Sequence, residues 1–78
     1  MLNEEIVLES LRIALADLSL HINSKADEVE NWDSLGQLSI LTTLANLTGG
    51  KSDLIPNLDE IKSIKEIVEL LRSSNLLE

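Results

Sequence analysis

Apolar residues recur along this chain at helical rather than strand spacing. Val7, Leu11, Ala14, Leu15 and Leu18 fall on one face of a segment running from about Asn3 to Leu18, with Glu5, Glu9, Arg12 and Asp17 opposite. Asn3 suits the N-cap, and Glu4 and Glu5 match the positive end of the helix dipole. A second segment, from about Ser34 to Thr48, sets Leu35, Leu38, Leu41, Ala45 and Thr48 in one stripe, widened by Ile40, Leu44 and Leu47. Gly49-Gly50 supplies its stop, because glycine readily takes the left-handed conformation that ends helices. A last helix begins near Ser63, where Ser63-x-x-Glu66 is a capping box. Its inward face is Ile64, Ile67, Val68 and Leu71, with Lys65, Glu66, Glu69 and Arg72 toward water.

The connections carry their own signals. Ser19 to Asp33 is long for a loop in a small domain, and such loops are functional or disordered. Leu20, Ile22 and Val29 can pin it to the core, so an ordered loop is expected. Pro56 restricts Ile55 to extended geometry, and Asn57 to Ile61 then forms one short helical turn. No segment alternates as a strand would. The expected fold is all-α, one domain over residues 1–78 with three main helices and a short helical piece before the last.

Charge narrows the partners. Fourteen acidic residues against six basic ones, a net charge of −8, argue against nucleic acid and against an anionic membrane surface. The imbalance favours a basic protein partner. Apolar runs such as Ile13-Ala14-Leu15-Ala16 are too short for membrane insertion, and the acidic start of the chain is unlike a signal peptide, so a cytoplasmic location is expected. Without cysteine there is no disulfide framework and no thiolate nucleophile, and the lone His21 has nothing with which to build a metal site. The carboxylate pairs Glu4/Glu5 and Asp59/Glu60 are sequence neighbours, which do not converge on a helix, so no catalytic residue is assigned.

The richest stretch is Trp32-Asp33-Ser34-Leu35-Gly36-Gln37-Leu38. It sets an acid and a hydroxyl at the start of an apolar, uncharged helix, where unpaired backbone N–H groups and the helix dipole favour negative charge. Ser34-x-x-Gln37 matches a capping box, but Asp33 can itself supply the capping oxygen and free the Ser34 hydroxyl. Trp32, the sole aromatic residue, anchors the helix entrance or, if exposed, meets a partner.

This stretch, within an acidic helical chain of 78 residues, resembles the acyl carrier proteins over essentially its whole length. The resemblance implies a four-helix bundle. It also implies a 4′-phosphopantetheine arm on Ser34, transferred from coenzyme A by a phosphopantetheinyl transferase, with Asp33 and Leu35 completing the motif. Acyl groups would ride on the arm's thiol as thioesters between enzymes of a fatty-acid, polyketide or related specialised pathway. Such a chain is no enzyme, but a monomeric substrate for the transferase and for acyl-transfer and synthase enzymes with basic docking surfaces. The absence of cysteine fits, since the reactive sulfur belongs to the prosthetic group.

The chain also departs from the family. No charged residue lies between Ser34 and Gly50, where carriers usually bear acids; the polar positions are Gln37, Ser39, Thr42, Thr43 and Asn46. Recognition is therefore expected to shift to Asp27, Glu28 and Glu30 of the loop and to Asp59 and Glu60, with Trp32, Gln37 and Leu38 around the serine. Such a shift favours dedicated partners. Asn31-Trp32-Asp33 replaces the glycines usual before the serine of peptidyl carriers, which counts against an aminoacyl or peptidyl carrier and leaves it as the alternative, beside an unmodified helical interaction module. The aliphatic core also suits a buried acyl chain, lined by Leu38, Leu41, Ile61 and Ile67. At about 0.8 kcal/mol per methylene, an eight-carbon chain would gain at most roughly 5–6 kcal/mol before the cost of opening the bundle.

Overall fold

The computed structural model describes residues 2–78. Three α-helices, α1 (Glu4–Ala14), α2 (Ser34–Leu47) and α3 (Ile64–Ser73), are joined by segments that include 3-10 turns at Ala26–Glu28, Lys51–Leu54 and Leu58–Glu60. Among the described residues the only strand-like pairing is an isolated antiparallel bridge between Lys25 and Ser63. The α1 helix packs against α2 and α3, and the Lys51–Leu54 and Leu58–Glu60 turns lie against α2. No helix among the described residues is long and apolar enough to cross a membrane.

The core collects Val7 and Leu11 from α1, Ile40 and Leu44 from α2, and Ile64, Ile67, Val68 and Leu71 from α3. Leu20 and Val29 from the long loop join it, as do Ile55, Leu58 and Ile61. The loop is ordered by polar ties as well. The Arg12 guanidinium donates to the Leu20 carbonyl at 2.8 Å, and the His21 N–H donates to the buried Ser24 hydroxyl at 2.9 Å. The Ala26 N–H donates to the Lys62 carbonyl at 2.7 Å, and the Ile64 N–H to the Ser24 carbonyl at 3.1 Å.

All three helices end in the same way. Asp17, Gly50 and Leu76 donate their N–H groups back to Arg12, Ala45 and Leu71, while Ala16, Gly49 and Asn75 hold positive φ (53°, 63° and 60°). These are Schellman-type endings, which glycine and asparagine favour. Ala16 is the odd member. It stops α1 at Ala14 rather than at Leu18, and Leu18, expected inside, is 82% exposed beyond the turn. Past Ala16, the Ser19 hydroxyl and N–H both donate to the Asp17 carboxylate and hold its pKa below the ordinary value. Their contribution is complete above the unfolded carboxylate range and fades as pH falls through the lowered value.

The face of α2 also differs from the expected stripe. Leu35 and Leu38 are 76% and 61% exposed, and burial follows Gly36, Ile40 and Leu44, with Leu41 and Leu47 at its margin. A helix with no charge gives its own sequence little power to choose a rotation, so tertiary contacts choose it. Leu38 therefore does not line the core, whereas Ile61 and Ile67 are buried in it and Leu41 is half-buried. The last helix matches its expected face at every named position.

Ala16 bears the steric cost of a left-handed residue with a Cβ. Ala16→Gly is expected to raise unfolding stability by about 0.5–1 kcal/mol, read as a shift in the urea midpoint at constant slope.

Candidate functional site

The start of α2 is assembled from three parts of the chain. Asp33 is extended, and its carboxylate accepts the Gly36 N–H at 2.9 Å, which makes it the N-cap. Its carbonyl accepts the Gln37 N–H at 2.8 Å and begins the helical ladder. Ser34 is thus the first helical residue, exposed, with capping carried out by its neighbour. The Ser34-x-x-Gln37 capping box does not form, because Asp33 holds the cap one residue earlier.

Gln37 has a different task. Its side-chain oxygen accepts the Trp32 indole N–H at 2.6 Å, and its amide nitrogen donates to the Asp59 carbonyl at 2.9 Å. A carboxamide carries both donor and acceptor and so can bridge these two groups. The bridge fastens the Leu58–Glu60 turn to the entrance of α2. Trp32 is 7% exposed and packs into the core, so the indole anchors the loop and its N–H is already taken.

Gly36 fixes the approach of the loop. A Cβ at this position would overlap the carbonyl oxygen of Asn31 and lie 3.1 Å from Leu15 Cδ2. The Asn31 side chain donates to the Leu15 carbonyl at 2.9 Å, which ties the end of α1 to the same spot. The need for glycine here is steric, since Gly36 lies inside a right-handed helix.

Around Ser34 the named residues separate into distinct neighbourhoods. Leu35 and Leu38 form an exposed apolar edge. Asp27, Glu28, Glu30, Asp59 and Glu60 are all exposed on the loop and the Leu58–Glu60 turn. Asp27 borders a groove that Trp32 also lines, whereas Glu28 lies by His21 and Lys65 in another depression. Sequence reasoning missed Lys62 and Ala26, which share with Ser34, Trp32 and Gln37 a surface groove of about 420 Å³. Nothing in the spacing marks Lys62, because the Ala26–Lys62 backbone bond brings it there. An exposed primary alcohol beside a basic side chain suits covalent attachment of an anionic group.

The division of labour at this helix start has a direct test. Asp33→Ala should cost about 1 kcal/mol through the lost cap, while Ser34→Ala should stay within about 0.5 kcal/mol. Gly36→Ala should cost at least about 2 kcal/mol, since overpacking against backbone has little room to relax. Urea unfolding followed by the fluorescence of Trp32 reads all three; a larger loss for Ser34→Ala than for Asp33→Ala would reassign the cap. Comparison with protein-family models, with curated proteins and with solved structures gives no match for this chain.

Proposed function

We propose that this chain is an acyl carrier protein of a dedicated biosynthetic pathway, with Ser34 as the attachment point of a 4′-phosphopantetheine arm. The observation that carries the proposal is the exposed Ser34 side chain at the first position of α2, released from capping by Asp33 within a Trp-Asp-Ser-Leu-Gly motif. The residues present fit such an arm. Ser34 supplies the alcohol, Lys62 lines the adjoining groove, and Asp33 is engaged by the Gly36 N–H. In this reading α1, α2 and α3, with the Leu58–Glu60 turn, take the places of a carrier's four helices.

The bound arm supplies a terminal thiol that holds acyl groups as thioesters. The chain's own part is presentation. Asp33 orders the first turn, and the Trp32–Gln37–Asp59 bridge holds the loop and the Leu58–Glu60 turn about Ser34. Leu35 and Leu38 offer an apolar contact, while Asp27, Glu28, Glu30, Asp59 and Glu60 draw in partners with basic surfaces.

Incubation with coenzyme A, magnesium and a broad-specificity phosphopantetheinyl transferase should add one phosphopantetheine to the wild-type protein and none to Ser34→Ala, read by intact mass. A folded wild-type protein that gains no mass beside an active control carrier, and that also carries no added mass when isolated from its own host, where a dedicated transferase would act, would remove the carrier proposal in favour of an unmodified interaction module.

A further inference from the structure

The groove beside Ser34 does not end at Lys62. It shares Ala26, Trp32 and Lys62 with a second depression of about 570 Å³ that Lys25 and Ser63 also line, so the two adjoin along these three residues as one trough-like surface. The trough leads from the start of α2, past Trp32, to the Lys25–Ser63 bridge.

Its walls are held by hydrogen bonds on each side. Ala26 donates to the Lys62 carbonyl at 2.7 Å, and the Lys62 N–H donates to Glu66 Oε1 at 3.4 Å, so the Lys62 backbone is fixed on both sides. The same Glu66 oxygen also accepts the Ser63 hydroxyl at 3.0 Å. On the Ser34 side, Gln37 fixes the indole. Lys62 itself is exposed, and its four-carbon stem gives the ammonium reach toward an anion in the groove.

The charge balance makes this location distinctive. Two of the chain's four lysines, Lys25 and Lys62, line this trough beside the carboxylates Asp27, Asp33 and Glu66, so cation and anion are set close together in a chain of net charge −8. An anionic phosphodiester on Ser34 would sit beside the Asp33 carboxylate, and Lys62 is the basic residue that lines the same groove as both. Apolar contact comes from Ala26 and Trp32, with hydrogen-bonding groups at Gln37, Ser63, Asp27 and Glu66 that can meet the amides of a pantetheine chain. Helical geometry puts this trough and the leucine edge on opposite flanks of Ser34. Viewed down α2, Leu38 and Leu35 are displaced by about 40° and 100° to one side, and Gln37 by about 60° to the other.

We infer that the phosphopantetheine arm of the loaded protein lies back along this trough, with its phosphodiester paired to Lys62 and its pantetheine portion against Trp32 and Ala26. The inference rests on the carrier proposal and adds to it where the arm rests between partners. The leucine edge then stays uncovered for docking, and the thiol end is held toward Lys25 and Ser63 rather than among the core side chains. Lys62 acts as a positioning residue.

The test compares apo and arm-loaded protein, with loading verified by intact mass, using ¹H–¹⁵N NMR and the fluorescence of Trp32. Loading should shift the Trp32 indole N–H and the Ala26 and Lys62 amides, and most of that shift should vanish in loaded Lys62→Gln but persist in loaded Lys51→Gln. In the wild-type loaded protein, added salt should return the same resonances toward their apo positions, because the Lys62 pair is solvent-facing and screened. Shifts confined to Asp33, Ser34 and Leu35, or appearing instead at Leu41, Ile61 and Ile67, would overturn the inference and leave the carrier proposal intact. Absence of any added mass, with the broad-specificity transferase and from the host alike, overturns both, and intact mass alone separates that outcome from the others.

Discussion

The entrance of α2 depends on the missing side chain of Gly36. The Asn31 carbonyl occupies the space a Cβ would need, so the loop backbone lies directly on the first turn of the helix. That close approach puts Asp33 one residue before the helix, extended and able to cap it. It also sets the Asn31 amide within reach of the Leu15 carbonyl, so the end of α1 and the start of α2 share one loop residue as a brace. A methyl group at this position would push the loop away, and the cap, the brace and the buried indole would shift together. One steric allowance thus fixes the position of Ser34.

A second layer of order comes from hydrogen bonds between segments remote in sequence. Gln37 joins the loop to the Leu58–Glu60 turn, and the reciprocal Ala26–Lys62 and Ile64–Ser24 bonds join the loop to the start of α3. These ties satisfy backbone groups that irregular segments would otherwise leave unpaired. They also set two unlike surfaces on either side of Ser34, a trough bordered by Lys62 and an exposed edge of Leu35 and Leu38. The serine stands on the boundary between them, at the end of a helix whose buried face is held by Ile40 and Leu44.

How well the sequence exposed each element follows from how local its determinants are. The α3 helix was legible throughout, because its apolar and charged positions separate cleanly and Ser63 caps Glu66 as the motif says. The end of α1 was not, because Ala16 takes a left-handed conformation that no alanine advertises. The rotation of α2 was misread because an uncharged helix rich in leucine has several stripes that look inward, and the contact at Gly36 selects among them. At the site, Asp33 as cap and Ser34 as free hydroxyl were readable from two adjacent residues. Gln37 was not, since its partners Trp32 and Asp59 are set by tertiary structure, and Lys62 was invisible for the same reason.

The lack of charge on α2 bears on how a carrier of this kind would be recognised. Long-range attraction needs net charge, and from Ser34 to Leu47 there is none. The acids that supply it are Asp27, Glu28 and Glu30 on the loop and Asp59 and Glu60 on the turn. Both segments are pinned to the entrance of α2, the loop by Gly36 and Trp32 and the turn by Gln37. Attraction and contact would therefore fall on different residues: acids around the serine orient a basic partner, and Leu35 and Leu38 are desolvated only once it docks. Charge complementarity governs association rate more than affinity, whereas apolar burial governs dissociation. A partner selected this way must match the leucine edge in shape, and a surface evolved to read acids along the helix itself would find nothing there to bind. For a carrier, restriction to dedicated enzymes would then follow from the physics of the helix face, without any contact built to exclude the others.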